Sequence, residues 1–197
     1  MRASTRREFV AGPAGRIECA VDEAAGGAVG IALIAHPHPL YGGSLDNKVV
    51  QTLARAFVEL GYAAWRPNFR GVGATDGVHD EGRGELEDLA ALVAHLQPAR
   101  LALAGFSFGA GLQVQLATRV QAEKLVVVGL AITRFALLSV KKGTLVIHGE
   151  LDETVPLAAV LDWARPQDLP VVVVPGAEHF FHRKLNILRE LVLQYCR

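Results

Sequence analysis

Cysteine is scarce in this chain, with only Cys19 and Cys196 among 197 residues. The two have neither metal-ligand spacing nor the density of a disulfide-stapled secreted domain, so both are expected as free thiols. No excess of one charge sign is present: twenty Lys and Arg balance twenty Asp and Glu. That balance excludes a strongly basic nucleic-acid surface as the organising feature. Long apolar runs are also missing. The runs at 30–35 and 125–128 fall far short of the roughly 18 to 20 residues a membrane-spanning helix needs. Arg2, Arg6 and Arg7 are followed by Glu8 and not by an apolar stretch of signal-peptide length, so a cytoplasmic location without secretion or a membrane partner is expected. Internal repeats, low-complexity segments and linkers rich in Pro, Gly or Ser are lacking, and one domain over residues 1–197 is the expectation.

What the chain does contain is an alternation of short β-branched or apolar runs with longer segments of helical period, the pattern of a mostly parallel sheet covered by helices. Residues 7–11 and 15–21 flank the turn pair Gly12-Pro13 and read as an antiparallel edge hairpin. Strands follow at 29–35, 62–65, 101–104, 125–130, 144–148 and 171–174. Between them, Val50, Leu53, Ala54, Phe57 and Leu60 recur at helical spacing, with Asp46 or Asn47 as the cap. Leu86, Leu89, Ala90 and Val93 mark a second helix, 110–120 a buried one, and Leu188, Leu191, Val192 and Tyr195 the last.

Between the 101–104 strand and the buried helix stands Gly105-Phe106-Ser107-Phe108-Gly109. A Gly-x-Ser-x-Gly in that context holds its serine on a strained turn with the hydroxyl projected, and the small flanking residues let strand and helix approach closely. A glycine-rich turn with a merely capping serine is the alternative for the pentapeptide alone. Dinucleotide binding is disfavoured, because Gly105, Gly109 and Gly111 lack the G-x-G-x-x-G spacing and the next strand ends in Gly129-Leu130-Ala131 without an acidic residue.

A nucleophilic serine needs a base, and the base needs an orienting acid, from loops at the carboxyl ends of later strands. The 144–148 strand enters Gly149-Glu150-Leu151-Asp152-Glu153, where Asp152 is preferred to Glu150 and Glu153. The 171–174 strand enters a loop where His179 is preferred to His182, which reads as the start of the last helix. The order Ser107, Asp152, His179 is the order expected of this architecture. His148 and His95 read as structural.

After the 29–35 strand comes His36-Pro37-His38-Pro39-Leu40-Tyr41-Gly42-Gly43, placed to supply a second oxyanion N–H beside that of Phe108. Proline has no N–H, which leaves His38 first and Leu40 or Tyr41 as alternatives. His36 reads as a brace for the loop; a metal held by His36 and His38 is disfavoured, since two prolines interrupt the pair and no third ligand follows at a recognisable spacing. Arg70, in the turn Asn68-Phe69-Arg70-Gly71, reads as one half of a structural ion pair.

On these residues the chain resembles the α/β-hydrolase superfamily, and within it the small lidless serine-esterase and dienelactone-hydrolase-like proteins, from about residue 31 to the last helix. The resemblance implies an α/β-hydrolase fold with a mostly parallel twisted sheet, helices on both faces and no cap domain, since the short 133–143 connection leaves no room for one. It places nucleophile, acid and base on Ser107, Asp152 and His179, with oxyanion N–H groups from Phe108 and the 36–41 loop. Cleavage of a small-molecule ester without metal or organic cofactor is the implied activity. A thioesterase, a peptidase with the same triad, and a non-catalytic ligand-binding protein are the alternatives. With no cap, the site is expected to be open, with Tyr41, Phe106, Phe108 and Phe180 as the nearest apolar surface.

Overall fold

The computed structural model describes residues 5–135 and 139–197. Eight strands form one sheet in the order β1-β2-β4-β3-β5-β6-β7-β8. Strands β1 (Thr5–Gly12) and β2 (Gly15–Asp22) form the edge hairpin, and β2 runs antiparallel to β4 (Tyr62–Pro67). Strands β3 (Gly30–Ala35), β5 (Leu101–Phe106), β6 (Lys124–Val128), β7 (Leu145–Gly149) and β8 (Val171–Val174) continue the sheet in parallel. The central strands are apolar at almost every position because helices cover both faces, so the strand period of two carries no polar side. The edge strand β1 keeps most of its residues exposed or half-buried.

Helices α1 (Lys48–Glu59) and α5 (Leu185–Cys196) lie on one face; α2 (Arg83–Leu96), α3 (Phe108–Leu116) and α4 (Leu157–Ala164) lie on the other. Of the two cap candidates for α1, Asn47 fills the position, its side chain accepting from the N–H groups of Val49 and Val50. The stripe Val49, Val50, Leu53 and Phe57 is buried, each side chain contributing about 1.5–3 kcal/mol before ordering entropy is charged against it. Helix α3 is buried on nearly all sides, and the amide of its Gln113 is satisfied by donation to the Leu33 carbonyl at 2.9 Å.

Strand β3 is followed in the chain by β4 on one side, and β5 then lies on the other. The crevice at the carboxyl ends of β3 and β5 is therefore the switch point of the sheet, where loops diverge and leave room for a ligand. The β3 loop and the turn after β5 both open there. Cys19 and Cys196 are buried free thiols, and burial pushes the Cys19 pKa up to about 12. Among the described residues no helix is long and apolar enough to cross a membrane. Residues 136–138 of the 133–143 connection lie outside the described residues.

Candidate active site

Ser107 is the single residue between β5 and α3, with φ 55° and ψ −116°. A non-glycine residue in this region carries strain of order 1–3 kcal/mol, which the surrounding structure must impose. Here the imposing contacts are visible. Its N–H donates to Val128 O at 2.9 Å, and its carbonyl accepts from Gly111 N at 3.2 Å and Ala131 N at 3.3 Å. A Cβ on Gly105 would stand 2.6 Å from the Gly109 backbone, and one on Gly109 would stand 2.5 Å from Ala35 O and closer still to His36 O. Both glycines are steric requirements of the turn.

The β7 and β8 loops are tied together before they reach the serine. Leu151 N donates to Ala177 O at 2.8 Å and Glu150 N to Val174 O at 3.1 Å, while the Glu150 carboxylate accepts from Gly176 N at 2.7 Å. Glu150 is thus engaged in holding the loops, Glu153 is exposed, and Asp152 alone of the three acids turns inward. Oδ2 of Asp152 lies 2.7 Å from Nδ1 of His179, and Nε2 of His179 lies 3.0 Å from Oγ of Ser107. A carboxylate only accepts, so Nδ1 carries the imidazole proton and Nε2 presents its lone pair to the serine hydroxyl.

The other Asp152 oxygen accepts from the N–H groups of Thr154 and Val155 at 3.0 and 2.8 Å. Burial alone raises the Asp152 pKa; the His179 hydrogen bond, the Val155 N–H and the nearby imidazoles outweigh it and hold the carboxyl below its ordinary value. His148, fully buried, donates from Nε2 to Val155 O at 2.9 Å and lies 3.5 Å from Asp152 Oδ2. It is a structural neighbour of the acid, and burial lowers its pKa. His182 does not start the last helix: α5 begins at Leu185, and His182 is exposed and paired with Glu178.

On the opposite side, the β3 loop is braced by His36, whose Nδ1 donates to Pro37 O at 2.7 Å while Nε2 accepts from Phe69 N at 2.9 Å. Burial lowers its pKa to about 4, so the ring stays neutral and can accept. Among the loop's N–H groups, that of Leu40 donates to His38 Nδ1 at 3.3 Å and that of Tyr41 to His38 O at 3.1 Å. Among the described residues the backbone N–H groups of His38 and Phe108 have no such partner. Arg70 forms a two-pronged pair with Asp88 at 2.7 and 2.8 Å and faces the α2 helix, in keeping with a structural role.

The apolar surroundings need a correction. Phe106 and Phe108 do not supply the apolar surface of the open site that the sequence suggests, because both are buried. Alternation along β5 sends Phe106 to the α1 and α5 face, where its ring packs 4.9 Å from that of His179 and supports it from beneath. Phe108, one residue past the turn, packs on the other face against Phe69 and Phe135. Tyr41 is 75% and Phe180 44% exposed, the Phe180 ring lying beside that of His179. A groove of about 450 Å³ runs past His179 between Leu151, Glu153, Thr154 and Phe180.

Three residues of this region escaped the sequence reading. Gly129, with φ 53°, ends β6 where a Cβ would approach His179 Cε1 to 3.2 Å; its place after an apolar strand was the available signal. His79 and Glu85 stand beside His38, and no spacing in the chain announces that proximity.

Comparison with known proteins agrees with this fold. The family described as X-Pro dipeptidyl-peptidase (S15 family) matches residues 23–173. An α/β serine hydrolase homologue from Coxiella burnetii superposes with a TM-score of 0.90 at 38% identity, covering 98% of this chain and 97% of that one. A lidless α/β serine hydrolase from Xanthomonas campestris gives 0.91 at 36% identity, covering 100% and 95%. The chain belongs to the S15 family of α/β serine hydrolases, and its fold is that of the members without a lid. An uncharacterized protein of Rickettsia prowazekii is 45% identical over 114 residues, or 55% of this chain; the match spans 48%, about half, of that curated relative's length.

Proposed function

We propose that this protein hydrolyses small carboxylic esters through an acyl-enzyme on Ser107. The observation that carries the reading is the continuous chain of hydrogen bonds from Asp152 through His179 to Ser107, at 2.7 and 3.0 Å, ending on a strained serine. Ser107 Oγ attacks the acyl carbon as its proton passes to His179 Nε2, and Asp152 steadies the resulting imidazolium. The carbonyl oxygen, now negative, is received by the Phe108 and His38 N–H groups, which keep no partner of their own among the described residues. His179 then returns the proton to the departing alkoxide. A water molecule, deprotonated by the same imidazole, attacks the acyl carbon, and the acid leaves as Ser107 recovers its proton.

The exposed surface beside His179 and Phe180 favours small acyl groups, because among the described residues no covering element adds apolar surface for a long chain. A second reading, amide cleavage, is favoured by the dipeptidyl-peptidase description of the matched family. Hydrolysis of short-chain aryl esters, the matching thioesters and X-Pro arylamides by one preparation separates the two.

A fluorophosphonate is expected to modify Ser107, and Ser107→Ala is expected to abolish labelling and lower ester turnover by roughly 10⁴-fold or more. Folded protein that is never labelled and turns over no ester would overturn the enzymatic reading; preferential turnover of the arylamide would replace the ester reading by the second.

A further inference from the structure

We propose that His38, His79 and Glu81 form a binding site for a divalent transition-metal ion of the zinc class, bridging the β3 and β4 loops beside the candidate active site. One ligand atom from each residue lies within 4.8 Å of the others. Zinc bonds of about 2.0–2.1 Å place tetrahedral ligand atoms roughly 3.3–3.5 Å apart. His79 Nε2 and Glu81 Oε1 already stand at 3.6 Å, so His38 has the larger part of the movement to make.

Independent support comes from the hydrogen-bond inventory. His38 is 7% exposed and the His79 side chain 8%. Among the described residues six buried side-chain polar atoms lack a hydrogen-bond partner, and three of them are His38 Nε2 and both ring nitrogens of His79. Buried imidazole nitrogens without partners are costly, and the two rings, with centroids 4.8 Å apart and planes tilted by 51°, leave His38 Nε2 and His79 Nε2 open to a shared ligand.

Glu85 supplies the outer support. It is fully buried on the first turn of α2, where it accepts from the N–H groups of Asp80 and Gly82 at 2.9 Å. Its Oε1 lies 2.7 Å from His79 Nδ1, close enough to pair but not aligned for a hydrogen bond. A small ring rotation would let Nδ1–H donate to that carboxylate and leave Nε2 for the ion, the arrangement in which a carboxylate orients a metal-ligating histidine. Binding at His38 Nε2 requires the proton to move to Nδ1, which gives up the long Leu40 hydrogen bond of 3.3 Å. Glu81, 69% exposed, closes the set from the solvent side. Two imidazoles and a carboxylate with an open fourth position suit zinc and its neighbours, not magnesium or calcium.

The site uses the His38 ring where the ester-cleaving reading uses only its backbone N–H, so its test reads metal binding and not turnover. Full-length protein stripped with a chelator is titrated with zinc chloride by calorimetry and with cobalt(II) by visible absorption. One ion per chain and the bands of four-coordinate cobalt are expected, unchanged in Ser107→Ala and in His182→Ala, which removes the exposed pair with Glu178. His79→Ala and Glu81→Gln are expected to weaken zinc by at least about tenfold and to bleach the cobalt bands. Should His79→Ala fail to fold, the exposed Glu81→Gln and the cobalt spectrum of the native chain decide. Zinc affinity equal to that of the native chain in both variants, or no binding by the native chain at millimolar zinc, overturns the proposal.

Discussion

On the β7 and β8 side of Ser107, His179 has a partner at each ring nitrogen, and His148 reaches from Nε2 to the Val155 carbonyl and toward Asp152. On the β3 and β4 side, His36 is satisfied at both nitrogens by backbone groups, while among the described residues His38 and His79 leave three nitrogens without a hydrogen bond. All five rings are at least half-buried. Their difference therefore comes from what meets each nitrogen. A carboxylate at Nδ1 aims Nε2 at a hydroxyl, two backbone groups make a brace, and two neighbouring rings whose Nε2 atoms have no hydrogen bond among the described residues leave those atoms open to the proposed ion. Imidazole chemistry is assigned by the second partner as much as by the first.

The largest break in this comparison is Asp152→Asn. The amide can keep the Thr154 and Val155 contacts yet no longer compels His179 to carry its proton on Nδ1, so kcat for ester hydrolysis is expected to fall by roughly 10⁴-fold with little change in melting temperature. Steady-state kinetics beside a thermal melt checks it, and near-normal kcat would remove Asp152 from the proposed triad. Gly109→Ala tests the seam between the two sides. Its Cβ would press on the β3 loop backbone at Ala35 and His36, and a loss of about 3 kcal/mol in urea unfolding is expected.

The subtlest effect concerns the brace. His36 has a folded pKa of about 4 against an ordinary 6.5. Its contribution is fully present above pH 6.5 and is lost as pH falls toward 4, because the unfolded chain takes up the proton first. That window amounts to about 3 kcal/mol, with His38 and His148 acting in the same direction. Unfolding free energies measured from pH 8 to pH 4 should show the decline, and His36→Asn should flatten it; an unchanged slope would assign the decline to the other rings.

Much of the scaffold was legible in the chain. The continuous apolar strands, the Gly12-Pro13 hairpin and the helix stripe beginning after Asn47 are consequences of neighbours within a few residues, and they appear where the periodicity put them. The elbow was legible for the same reason, since Gly105, Ser107 and Gly109 meet within one turn. The burial of Phe106 was not, because the strand period says that it faces opposite to its neighbours but not that α5 and the β8 loop close over that face. His79 was invisible beside His38, as 41 positions separate them and only the adjacency of β3 and β4 brings their loops together.

The sequence by itself determined the alternating α/β pattern and the strained serine turn, since both arise from local sterics and from apolar periods that the backbone must obey. The sequence favoured Asp152 over Glu150 and put His38 first, but only the tertiary structure decided that Asp152 lies 2.7 Å from His179, that the His38 N–H has no partner among the described residues, and which imidazoles lie side by side. Those outcomes rest on contacts such as His179 to Ser107, 72 positions apart, whose distances are set by strand order and loop ties and by no spacing along the chain.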